Sequence, residues 1–335
     1  MRDVRISKRE REPGGGSRRR FLAGTAALIG AAGYACAGMA WAKKPAPNTP
    51  LPTTAATGAT PFKISLAQSS LHKEFSASRL DPLDFARAAA GLHIDAVEYA
   101  ARFYPGKASD RAYLAELKRR AVGEGVASLL IRVDDEGPLG APLPTARHRA
   151  VDRHKKWVEA AAFLGCHSIC VNASSQGDED DQANWLSDGL RRLCDFGDRH
   201  GIDVLVDNRG GLSSKGGWLA EVLAAVGHRR AGSLPDFGPF AGAGGAPYDR
   251  YQGVRDLMPF ARGVGARASA FDDRGEETSV NYALMLEAVT GAGYRGHVGI
   301  RYDGARLSEY AGIERTRALL ERVRSQRSAR RERGR

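Results

Sequence analysis

The segment from Ile202 to Gly238 reads IDVLVDNRGGLSS at 202–214, continues through a helix-forming stretch, and ends in SLPDFG at 233–238. Two short apolar runs, 204–206 and 233–234, each lead to an aspartate, Asp207 and Asp236, and a glycine-containing loop follows each one. Runs this brief suit strands buried on both faces rather than helices. In a barrel of parallel strands, side chains at the strand C-termini converge on one mouth. Asp207 and Asp236 are therefore expected to share a pocket, and two carboxylates there point to a cation or to acid/base chemistry.

Working outward, the same strand-then-helix unit recurs along the chain. Strands are expected at 62–67, 94–99, 126–133, 167–172, 202–207, 232–236, 263–269 and 297–301. Helices are expected at 82–90, 110–124, 145–164, 181–200, 216–226, 249–260, 280–292 and 307–323. Asp81 before Pro82 reads as an N-cap with proline in the first turn. Eight such alternations predict a closed α/β barrel of the (β/α)8 TIM type, ahead of a doubly wound open sheet. No Gly-x-Gly-x-x-Gly follows the first strand, which argues against a dinucleotide fold. The glycine-rich loop 238–247 is expected to be mobile.

The formal charge of +11 over 335 residues suggests nucleic acid until it is mapped. Residues 1–42 hold eight basic against three acidic side chains, and 322–335 hold seven arginines against Glu332. The body between them is near neutral, so no nucleic-acid partner is expected. Ser17 to Leu22 reads SRRRFL, before an Ala/Gly-rich, weakly apolar run and Ala40-Trp41-Ala42. This is the pattern of a twin-arginine signal peptide over 1–42, cleaved after Ala42. It implies the twin-arginine export machinery as a partner, a periplasmic or extracellular destination, and no stable membrane span after cleavage. Residues 43–60, rich in Pro, Thr and Ala, read as a linker, 61–324 as the barrel domain, and 325–335 as a basic disordered tail. Cys166, Cys170 and Cys194 are an odd set, better read as buried thiols than as a disulfide framework.

On the barrel reading, the residues lining the mouth are Gln68, His72, Glu98, Asp134, Asn172, Asp207, Asn208, Arg209, Asp236, Ser269, Arg301 and Asp303. This polar and acidic set suits a polyhydroxylated ligand bound through hydrogen bonds to amide and carboxylate groups. His72 and His154 are candidate auxiliary groups.

Six segments carry a resemblance: ISLAQSSLHK at 64–73, DAVEY at 95–99, FLGCHSI at 163–169, VDNRGGLSS at 206–214, LPDFG at 234–238 and YRGHVGIRYDG at 294–304. With them the chain resembles the sugar phosphate isomerase/epimerase family, the xylose isomerase-like TIM barrels, over roughly residues 61–304. The resemblance implies a divalent metal that positions a sugar for proton transfer, held by a glutamate, an aspartate, a histidine and a glutamate after strands five to eight. Here Asp207 and Asp236 stand at the first two positions, Ser269 at the third and Arg301 at the fourth. A guanidinium stays protonated and has no lone pair for a metal. No firmly bound cofactor is therefore expected, with a remnant divalent-metal site at Asp207 and Asp236 as the alternative.

In the metal's place, Arg301 and Arg209 are expected to form charge-assisted hydrogen bonds to the two aspartates. Asp207, Asp236 and Arg301 are the candidate catalytic groups, two bases and an oxyanion stabiliser. Two functions follow: an exported isomerase/epimerase-like protein acting on or binding a sugar, or a non-catalytic carbohydrate-binding or interaction protein on the same barrel.

Overall fold

The computed structural model describes residues 60–333 except 239, 242–245 and 247. The expected signal (1–42), all but the last residue of the expected linker (43–60) and much of the 238–247 loop lie outside the described residues. The described residues belong to one compact unit, Lys44–Arg335.

Eight strands form among the described residues: β1 Lys63–Ala67, β2 Ala96–Ala100, β3 Ala127–Val133, β4 Ser168–Val171, β5 Asp203–Asp207, β6 Ala231–Leu234, β7 Val264–Ala268 and β8 His297–Tyr302. The helices among the described residues are α1 His72–Ser76, α2 Phe85–Gly91, α3 Arg111–Gly123, α4 Pro144–Leu164, α5 Glu179–His200, α6 Gly216–Val226, α7 Arg250–Leu257, α8 Tyr282–Gly291 and α9 Glu309–Arg333. Their starts follow local chemistry: Asp110, Asp178 and Asn281 each accept a backbone N–H of the first turn. Asp81 does the same for Leu83, in a short 3-10 turn that feeds α2.

The strands pair in parallel in the order β6-β5-β4-β3-β2-β1-β8-β7. Pro235 lacks an N–H and ends β6, so the last seam is closed by bridges rather than a full ladder. Ser233 pairs with Ala261 and Asp236 with Gly265, while Gly265 N donates to Pro235 O at 2.8 Å and Phe237 N to Gly265 O at 2.8 Å. The sheet is thereby a closed (β/α)8 barrel, as the alternation predicts.

The main apolar core lies between strands and helices. A second, small cluster, Leu130, Cys170, Leu205 and Leu234, comes from β3 to β6 and fills their half of the barrel interior. In the opposite half the interior side chains are small, polar or absent, among them Ser65, Glu98, Gly265, Gly299 and Arg301. That asymmetry places the charged site.

The tail differs from expectation. In place of disorder from 325, α9 runs on to Arg333. As far as Val323 it is anchored by buried Ile313, Leu319, Leu320 and Val323, and once a helix is nucleated each further Arg, Ala, Gln or Glu adds a hydrogen bond at little entropic cost. Cys166, Cys170 and Cys194 are free and buried. Burial pushes the Cys166 and Cys170 thiols up to about 12, which leaves them unreactive. Among the described residues no helix is long and apolar enough to cross a membrane.

Candidate functional site

Strand alternation delivers the site. In β8, Ile300 and Tyr302 face the main core, so Arg301 between them faces inward; in β7, Ala266 and Ala268 do the same for Arg267. Arg267 and Arg301 are register partners on adjacent strands, and they bracket one carboxylate. Arg301 Nη1 donates to Asp236 Oδ2 at 3.0 Å and Arg267 Nε donates to Asp236 Oδ1 at 3.1 Å. The other arm of Arg301, Nη2, reaches Glu98 Oε2 on β2 at 3.2 Å, and Ser65 Oγ on β1 donates to Glu98 Oε1 at 2.9 Å. Arg301, Asp236 and Glu98 are each only 4% exposed.

The second aspartate has its own arginine. Arg132, the lone charge in β3, pairs through Nη1 with Asp207 Oδ2. Arg209 lies over the same oxygen, its Nε 3.6 Å away, and donates Nη2 to Asp134 Oδ1 at 2.6 Å. Arg267 also pairs with Asp303 at the rim. Four arginines and five acids thus form a charge lattice made of two networks at the barrel mouth, Glu98–Arg301–Asp236–Arg267–Asp303 and Arg132–Asp207–Arg209–Asp134.

Glycines make room for it. A Cβ at Gly265 would sit 2.8 Å from Arg301 Nε and 2.9 Å from Asp236 Oδ2, and one at Gly299 would overlap Glu98. At Gly238 it would lie 2.6 Å from Arg267 Nε.

Burial pushes the Glu98 carboxyl above its ordinary range, against the pull of the Ser65 hydroxyl and the Arg132 charge. Arg132 goes the other way: burial disfavours its charge, but Asp207 more than offsets that and holds it well above its usual value. The charge of Asp236 raises Arg267 in the same sense.

The expected site residues divide. Glu98, Asp134, Asp207, Asp236, Arg209, Arg301 and Asp303 come together in the lattice. Asn208 exchanges hydrogen bonds with the Asp236 backbone, Nδ2 to O at 3.1 Å and Oδ1 from N at 2.7 Å, and so fixes that aspartate. The others have separate tasks. Gln68 accepts from Ala100 N and donates to Tyr104 Oη, both at 2.9 Å, tying the ends of β1 and β2. His72 sits on α1 against Glu309. His154 is buried in α4, its Nδ1 2.7 Å from Ala150 O. Asn172 caps its own loop at Ser174 N, and Ser269 Oγ turns to Glu277 at 3.3 Å. The partner expected for Arg301 also changes, since its second carboxylate is Glu98 rather than Asp207. Sequence reasoning missed Arg132 and Arg267; the signal was a single arginine inside an otherwise apolar strand.

A cleft of about 400 Å³ opens beside the mouth, walled by Arg102, Ser109, Asp135, Glu136, Lys156 and Trp157. Asp207, Asp236 and Arg301 are not among its walls.

Compared with known protein families, residues 86–326 match the xylose isomerase-like TIM barrel. The chain belongs to that family. A comparison with curated proteins found no match. Among solved structures, D-psicose 3-epimerase from Clostridium cellulolyticum H10, crystallised with D-tagatose, superposes with a TM-score of 0.62 at 17% identity. It covers 79% of this chain and 99% of that one. An L-ribulose 3-epimerase gives 0.63 at 14%, covering 81% and 97%, and the 3-keto-D-glucoside 4-epimerase of E. coli gives 0.59 at 16%, covering 79% and 99%. At these identities the likeness establishes the fold.

The divalent ion implied by the resemblance to the sugar phosphate isomerase/epimerase barrels does not fit this member. Both Asp236 oxygens and one Asp207 oxygen already hold guanidinium groups, and Arg301 fills the space between Asp236 and Glu98 with a charge that opposes a second cation. Among the described residues no group of three or more His, Cys, Asp or Glu side chains is arranged to hold a metal.

Proposed function

We propose that the protein is a sugar isomerase/epimerase-like barrel that receives a sugar or sugar-like acid at its C-terminal mouth without a resident divalent ion, as a binding protein rather than a metal-dependent catalyst. One observation carries this reading: the two aspartates at the expected metal positions each have a buried guanidinium partner, Arg301 on Asp236 and Arg132 on Asp207. Proton transfer by the aspartates is poorly supported by the same geometry. Both Asp236 oxygens accept from guanidinium groups and Asp207 Oδ2 is paired with Arg132, so these acceptor positions are already taken. The hydrogen-bonding rim of Arg209, Asp134, Arg267 and Asp303 supports binding of a hydroxylated ligand, and the sugar epimerases among the superposable structures are in keeping with it.

The test pairs elemental analysis of the purified, folded protein with thermal shifts and turnover assays across neutral sugars and sugar acids. Ligand-induced stabilisation without turnover or metal is the expected result. Stoichiometric divalent metal would overturn the proposal, and metal-free isomerisation would return Asp207, Asp236 and Arg301 to catalytic roles.

We also propose export by the twin-arginine route to the periplasm or beyond, on the strength of Ser17 to Leu22 and Ala40 to Ala42. Replacing Arg18 and Arg19 by lysine should retain the protein in the cytoplasm; unchanged fractionation would refute this.

A further inference from the structure

The Arg209–Asp134 pair differs from the rest of the lattice. Its side chains are 38% and 20% exposed, whereas the Arg132–Asp207 pair behind it is 9% and 3% exposed. Arg209 presents Nη2 and Nη1 to Asp134 at 2.6 and 3.5 Å, a fork with one strong and one weak arm. Behind that fork two buried donors have no hydrogen-bond partner, Arg132 Nη2 and Arg209 Nε. Both belong to guanidinium groups that converge on the same Asp207 oxygen. Buried N–H groups without acceptors are costly and mark a place where an acceptor is missing.

We propose that Asp134 stands in for the carboxylate of a sugar acid. The ligand's carboxylate takes the Arg209 fork, Asp134 turns out to water, and the unpartnered donors of Arg132 and Arg209 gain acceptors from the ligand. Exchanging one carboxylate for another preserves the charge balance of the mouth. A phosphate dianion would add a negative charge, and a neutral sugar would leave the Arg209–Asp134 pair in place. The planar, monoanionic carboxylate also matches the guanidinium geometry. This rests on the reading that ligands enter at the mouth.

The test is calorimetric titration of D-gluconate, D-glucose and D-glucose 6-phosphate into the wild type, Asp134→Asn and Arg209→Ala. Both positions are at the rim, and unchanged melting curves will confirm folding. Gluconate should bind more tightly than glucose or the phosphate. Asp134→Asn removes a partly exposed competitor and should tighten gluconate alone by about fivefold. Arg209→Ala should abolish the preference for the acid. Equal binding of acid and neutral sugar, preference for the phosphate, or no gain in Asp134→Asn would overturn the stand-in role and leave the mouth as a binding site. No binding by any of the three probes to any variant would overturn both.

Discussion

Replacing Arg301 by methionine keeps most of the side chain's volume and removes its charge, and so isolates the guanidinium's part in the barrel. Arg301 holds Asp236 at 3.0 Å and Glu98 at 3.2 Å, with all three residues 4% exposed. At an effective dielectric near 20, a pair at that distance attracts by about 5 kcal/mol before desolvation is counted. Removing one partner of a buried pair typically destabilises by about 3–5 kcal/mol, because the remaining charge stays buried. Two features favour the lower end. Asp236 retains Arg267 on its other oxygen, and Glu98, already raised by burial, can take up a proton instead of standing as a bare anion. A loss of about 3 kcal/mol is therefore expected, which for a barrel of this size lowers Tm by about 6–12 °C. Urea unfolding at neutral pH should show a lower midpoint with an unchanged slope. The deficit should persist in about 1 M salt, since buried pairs are weakly screened. Stability within about 0.5 kcal/mol of wild type would mean that the guanidinium is not the cation of this site, and the reasoning for a metal-free mouth would fail with it.

Three further outcomes follow from the same lattice. Glu98→Gln changes the pH response: the folded-state pKa of Glu98 lies above its ordinary 4.5, so its contribution to stability is complete below that value and is lost as pH rises through the raised pKa. The variant should thus gain on wild type as pH rises above 4.5 in melting experiments, and a constant difference would refute the shift. Gly265→Ala pushes a methyl group against Arg301 Nε and Asp236 Oδ2 and should cost about 1–3 kcal/mol; combined with Arg301→Met its cost should shrink, and strict additivity in urea unfolding would argue that the two do not touch. The double variant Arg301→Glu, Ser269→His restores the family's residue types at two ligand positions, yet elemental analysis after Mn²⁺ loading should find no stoichiometric metal, because Arg132 and Arg267 still occupy Asp207 and Asp236.

The last of these shows where the sequence was sufficient and where it was not. The barrel was legible because short apolar runs alternate with helix-forming stretches along the chain, and both signals are local. Asp81 was legible as a cap from its neighbours alone, and its side chain accepts from Leu83 N. The aspartates at 207 and 236, and the arginine at 301, were legible as mouth residues because each closes such a run. Arg132 and Arg267 were not, although they lie in equally short strands. Their side chains replace a hydrophobic residue on the interior face, and which face is interior depends on strand phase. Val133 and Ala268 settle that phase only once they are seen in the core shared with the helices.

Pairing partners were less legible still, because they depend on geometry across the barrel. Glu98 and Arg301 are 203 residues apart in the chain. They meet only because β1, which separates β2 from β8, offers Ser65 rather than a large side chain, and because Gly299 leaves the Glu98 carboxylate its space. Small residues at 65, 265 and 299 and charged ones at 98, 267 and 301 are therefore one feature of the sequence. A barrel with leucine at those three positions, like its other half at Leu130, Leu205 and Leu234, would have no room for the Arg301 guanidinium, and Asp236 would keep only Arg267 as a counter-charge. The charge lattice and the voids that admit it stand or fall together, which is why a change at Gly265, with no polar atom in its side chain, is expected to register at Arg301.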